Sequence, residues 1–67
     1  MDDICMRVGF TIRKHREEKG ISQESLATLS ELHRTYIGQV ERGEKNLTLR
    51  SLERIANALN VKTKDLL

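Results

Sequence analysis

The chain alternates between stretches whose apolar residues recur at helical spacing and short polar stretches carrying glycine, serine, threonine or asparagine. Ile4, Val8 and Ile12 recur every four residues, with His15 close to the same face and Arg13, Lys14, Glu17 and Glu18 elsewhere. This predicts a helix over about residues 3–19 with one buried stripe. Asp2 and Asp3 suit the positive end of its dipole, Lys19 the negative end, and Gly20 the left-handed stop. A second, shorter helix starts at Ser22 as N-cap, with Ile21 and Leu26 in the staple relation and Leu26, Ala27 and Ser30 as a small inner face. The periodicity breaks over residues 30–33 and resumes in a third helix from residue 34 to about 42, ended by Gly43. There Ile37 and Val40 turn inward, Tyr36 lies partly alongside, and Arg34, Thr35 and Gln39 share the opposite face. Thr48 caps a fourth helix stapled by Leu47 and Leu52, with Leu52, Ile55, Ala56 and Leu59 inward and Asn60 as terminator. Residues 61–67 read as one last turn or two, Val61 and Leu66 again in the staple relation. The expectation is one all-α domain over residues 1–67, a compact bundle of five helices.

Composition removes several function classes. A core built from 67 residues rarely supplies more than about 3–5 kcal/mol, so packing, pairing or oligomerisation must supplement it. Cys5 is the only cysteine, which excludes an internal disulfide and fits a reducing, cytoplasmic setting; it reads as an inert thiol near the terminus. With two histidines at unsuitable spacing it makes no zinc site, so neither a metal nor a cofactor is expected. No apolar run approaches the roughly 18 residues of a membrane span, and the start is not a basic signal peptide. The single Tyr and single Phe argue against a stacking surface for single-stranded nucleic acid. No Ser, His and Asp spacing assembles a nucleophile, a base and its orienter, so no catalytic residue is assigned, no enzyme is expected, and no small-molecule pocket is evident. The net charge of +2 permits an anionic partner without demanding one.

Two strings sharpen this: Ile21-Ser-Gln-Glu-Ser-Leu-Ala, and Leu32-His-Arg-Thr-Tyr-Ile-Gly-Gln-Val-Glu-Arg-Gly43. Together with Asn46-Leu-Thr-Leu and the Leu52, Ile55-Ala, Leu59-Asn-Val series, they resemble the helix-turn-helix of the Cro and phage-repressor (XRE-type) family of bacterial DNA-binding proteins. The resemblance runs over about residues 6–67, with the helix-turn-helix core at about 22–42. The string from His33 to Asn46 is similar, more narrowly, to the controller proteins of restriction–modification systems.

The resemblance implies a lambda-repressor-like fold and a transcriptional regulator that binds a near-palindromic site on double-stranded DNA as a homodimer, its third helix in the major groove. Arg34, Thr35 and Gln39, with His33, fall at its base-reading positions; Arg34 can grip guanine and Gln39 adenine through paired hydrogen bonds. Gln23, Ser22, Tyr36, Lys45 and Asn46 fall where phosphates are held, and Arg50 is a further candidate. Arg16 and Glu41 stand where the family buries an ion pair. The fifth helix and adjoining loop imply a dimer surface of Leu59, Val61, Leu66 and Leu67, to which Cys5, Met6 and Phe10 could add. The resemblance also implies RNA polymerase as a further partner, blocked or touched by the bound regulator. Gly38 would leave bare backbone on the reading face, and Glu31 stands where the family often has glycine. The competing reading is an antitoxin or a protein-docking helix-turn-helix.

Overall fold

Four α-helices and a closing 3-10 turn make up the computed structural model, which describes residues 3–67. Helix α1 spans Ile4–Glu18, α2 Gln23–Ser30, α3 Arg34–Glu41 and α4 Leu49–Leu59, and the turn spans Thr63–Leu66. Each α-helix starts on a side-chain cap: Asp3 for α1, Ser22 for α2, His33 for α3 and Thr48 for α4. The Asp3 carboxylate accepts from the Cys5 N–H at 2.9 Å, while Asp2 lies outside the described residues. The expected fifth helix is instead the 3-10 turn, whose start is tied by the Lys62 N–H donating to Asp65 at 3.0 Å. The tighter turn carries Leu66 into the core.

All four helices end alike. An N–H reaches back five residues in each case: Ile21 to the Arg16 carbonyl (3.3 Å), Leu32 to Ala27 (3.0 Å), Glu44 to Gln39 (2.9 Å) and Val61 to Ala56 (3.0 Å). The residue before each donor is left-handed: Gly20, Glu31, Gly43 and Asn60. Glu31, at φ 58°, carries a strain of about 1 kcal/mol that glycine would avoid.

Helix α2 packs on α3 and α4, and α1 crosses α3 while touching α4 and the 3-10 turn. Val8, Ile12, Leu26, Ile37, Val40, Leu52, Ile55, Leu59 and Leu66 meet in one core, with Ile21, Leu32, Tyr36, Leu47 and Val61 packed against its edge. Ile4 departs from the expected stripe: it is 54% exposed, because the first turn of α1 overhangs the core. Gly9 marks the closest approach of α1 to α3. A Cβ there would collide with the Val40 carbonyl oxygen and lie 2.9 Å from that of Glu41. No helix is long and apolar enough to cross a membrane among the described residues.

Candidate nucleic-acid interface

The geometry of α2 and α3 is set by one buried polar cluster. Glu41, its side chain 2% exposed, receives Arg16 Nε at 2.7 Å and Arg16 Nη2 at 3.0 Å. The Gln23 amide nitrogen donates to the same carboxylate at 3.0 Å, and Arg16 Nη1 donates to the Ile21 carbonyl at 2.9 Å. Three helices and the α1–α2 turn are thereby joined through three side chains, the opposite charges of Arg16 and Glu41 and the amide of Gln23. The hydrogen bonds that Arg16 donates to the Glu41 carboxylate raise its pKa above the ordinary value, so the guanidinium stays charged despite its burial.

With Ile37 and Val40 turned inward, α3 presents Arg34, Thr35 and Gln39 outward as expected; Arg34 and Thr35 are exposed and Gln39 is half-buried. Arg34 Nη1 lies 3.1 Å from the Glu24 carboxylate of α2, an exposed contact that water or another anion can replace. His33 is the N-cap, its Nδ1 accepting from the Thr35 N–H at 3.2 Å; Nε2 therefore carries the ring proton and is left as an outward donor. Capping by histidine was not signalled by sequence, where Ser, Thr, Asp and Asn are the expected types.

Of the residues placed on phosphate duty by resemblance, Ser22 is committed first to capping α2, its hydroxyl accepting from the Ser25 N–H at 3.0 Å. Gln23 is tied to Glu41 through one amide N–H and keeps a second. Tyr36 is half-buried against the core. Lys45 and Asn46 are exposed on the α3–α4 loop with Arg50 just beyond it, and the Cys5 thiol donates to the Asn46 side-chain oxygen at 3.0 Å. His15, partly exposed at the end of α1, has Nδ1 3.8 Å from Glu18.

Two expectations need correction. Gly38 does not leave bare backbone on the outward face: it is buried, and the Arg42 guanidinium covers it, with Nη1 3.2 Å from where a Cβ would stand and Gln23 Oε1 at 3.6 Å. Leu59 and Leu66, expected at a dimer surface, are both 0% exposed within the chain's own core. The 3-10 turn folds Leu66 inward, so of those four positions only Leu67 stands fully outward, with Val61 half-buried. Three of the exposed apolar residues, Ile4, Leu49 and Leu67, lie instead around a groove between the start of α1, the α3–α4 loop and the C-terminal end, which Val8, Leu47 and Leu52 also line, while Met6, Phe10 and Leu29 are exposed outside it.

Comparisons with known proteins agree with this architecture. A family model described as helix-turn-helix matches residues 12–66. The chain is 52% identical to the control protein C.SmaI of Serratia marcescens, over 97% of this chain and 83% of that one. It is similar in structure to the restriction–modification controller protein C.AhdI from Aeromonas hydrophila, with a TM-score of 0.92, 41% identity, and 94% and 96% of the two chains covered. It also matches the restriction–modification controller protein C.Esp1396I, solved as a tetramer in complex with its natural 35 base-pair operator, with a TM-score of 0.86, 47% identity, and 92% and 82% covered.

Proposed function

The chain belongs to the helix-turn-helix family, and from that membership we propose that it is a cytoplasmic, sequence-specific double-stranded DNA-binding regulator of transcription, a controller of a restriction–modification system. It acts as one domain over residues 1–67, with its helix-turn-helix core at about 22–42. The observation that carries this reading is the outward face of α3, where Arg34, Thr35 and Gln39 are presented while Ile37 and Val40 anchor the helix. A helix so anchored fits the major groove with its N-terminal residues towards base edges.

In this reading Arg34 reads guanine, Gln39 reads adenine, Thr35 offers its methyl or hydroxyl, and His33 donates through Nε2. Ser22 and Gln23 bring the start of α2 to a phosphate, Gln23 using its second amide N–H, while Tyr36, Lys45, Asn46 and Arg50 flank the groove. The regulator works by position, excluding RNA polymerase or touching it, and performs no catalysis. Selection from random double-stranded DNA tests the reading: a recurring near-palindrome whose half-sites lie about 34–36 Å apart is expected. No enrichment, together with capture of a small protein partner, would point to the docking or antitoxin alternative. On the selected site, Arg34→Ala is expected to cost about 1–3 kcal/mol and relax preference at one base position. Lys45→Ala is expected to weaken all sequences alike and flatten the salt dependence by about 0.9 per lost phosphate contact.

A homodimer requires a surface, and Ile4, Leu49 and Leu67, exposed by 54%, 82% and 56%, form the best-supported one. Leu49 leaves so much apolar area in water at the first position of α4 that a second copy would gain by covering it. Leu49→Lys is therefore expected to sediment as a monomer and to bind the operator more weakly by on the order of 100-fold, the loss of two-site engagement. A dimer that persists unchanged in that variant would move the interface elsewhere.

A further inference from the structure

Arg42 is the C-cap residue of α3, but the roles assigned above leave its side chain without a task. It follows Thr35 by seven residues, which at about 100° per residue returns it to within about 20° of the same face. Along the axis it stands roughly 12 Å beyond Arg34, comparable with the roughly 12 Å width of a major groove. A helix that points its N-terminal end at base edges therefore carries its C-terminal end to the lip of the groove, where phosphates are.

The local geometry keeps the guanidinium on that face. Gly38, one turn earlier, has no side chain, and Arg42 Nη1 occupies the space beside it, 3.2 Å from the position of an absent Cβ. Glu44 holds the group there with two contacts, Nε to Oε2 at 3.0 Å and Nη2 to Oε1 at 3.3 Å, the forked arrangement with which arginine also grips phosphate. The position of Glu44 is fixed in turn, because its N–H closes the end of α3 on the Gln39 carbonyl at 2.9 Å. Both side chains are more than half exposed, at 57% and 53%, so the pair is open to exchange with another anion.

We propose that Arg42 is a further phosphate-contacting residue of the DNA face and that Glu44 is its built-in competitor, filling the guanidinium until a DNA phosphate displaces it. The proposal rests on the DNA-binding reading above. Glu44 pre-sets the fork of Arg42, and its own negative charge opposes the approach of any phosphate that does not take its place. The hydrogen bond between them holds the Glu44 carboxyl below the usual carboxylate range and raises Arg42, so the exchange involves two charged groups at neutral pH.

A double-mutant cycle on operator DNA, repeated at several salt concentrations, tests this. Arg42→Ala is expected to weaken binding and to flatten the log–log salt slope by about 0.9 per subunit. Arg42→Lys, which keeps the charge but not the fork, is expected to retain that slope. Glu44→Gln is expected to tighten binding severalfold, and the gain is expected to vanish in the Arg42→Ala background, because Glu44 acts through Arg42. A general charge effect would instead make Glu44→Gln equally effective with or without Arg42, and that result, or an unchanged slope for Arg42→Ala, overturns the proposal. Thermal melts of each variant separate binding from folding, and Arg42→Gln replaces Arg42→Ala in the cycle if alanine lowers the melting temperature. Failure of the unaltered chain to select any DNA would remove the functional reading itself, whereas additive variants of a DNA-binding chain remove only this one.

Discussion

Glu41→Ala is expected to leave the chain largely unfolded at room temperature. The carboxylate takes two hydrogen bonds from Arg16, whose side chain is 11% exposed, and it also accepts from Gln23. Removing it strands a guanidinium that cannot shed its proton, at a cost of about 3–5 kcal/mol. A core of this size supplies about the same amount in total, so little stability is left. Each 1 kcal/mol is worth about 4–8 °C in the melting temperature of so small a domain, and circular dichroism melts read the difference directly. Glu41→Gln keeps an acceptor of nearly the same shape and is expected to fall between the two. A drop of less than about 5 °C for Glu41→Ala would mean that water solvates Arg16 in place of its partner, and that the cluster orients α2 and α3 without holding the fold.

Much of this architecture is legible in the sequence because it depends on local chemistry. Ser22 and Thr48 announce the starts of α2 and α4, and Gly20, Gly43 and Asn60 sit at the left-handed positions that close α1, α3 and α4. The Arg16–Glu41 pair is legible only by resemblance, since 25 residues separate the partners. Where the structure departs from expectation, the deciding contact is again distant in the chain. Periodicity assigns Ile4 to the stripe of Val8 and Ile12 but says nothing of where the core ends, and the overhanging turn leaves Ile4 in solvent. The same limit hides Leu59 and Leu66: an apolar residue near the end of a chain can face its own core or a partner, and the 3-10 turn decides for the core. Arg42 passes unnoticed because an arginine at a helix end ordinarily needs no explanation; its meaning comes from Gly38 and Glu44 together.

Gly9→Ala is expected to lower the melting temperature by at least about 10 °C, although it improves the helix in isolation. Alanine gains about 1 kcal/mol over glycine in a helix interior, and on propensity alone the substitution should stabilise α1. The added Cβ, however, meets main-chain atoms of α3, the Val40 carbonyl oxygen and the carbonyl group of Glu41, and neither can rotate aside. Overpacking of a close-packed core costs about 1–3 kcal/mol and sometimes more, and backbone against backbone belongs at the upper end. The displacement also reaches the polar cluster. Arg16 lies seven residues after Gly9, about two turns along the same face of α1, so moving α1 away from α3 lengthens the 2.7 Å and 3.0 Å contacts to Glu41. The steric cost and the weakened pair add in one direction and exceed the gain in propensity. An unchanged or higher melting temperature would mean that α1 rides more loosely on α3 than this packing implies. If the variant instead melts lower while a fully folded sample at low temperature still binds operator DNA, the contact at Gly9 serves stability alone. Weakened binding by that folded sample would show that the seating of α1 also sets the angle at which α3 meets the groove.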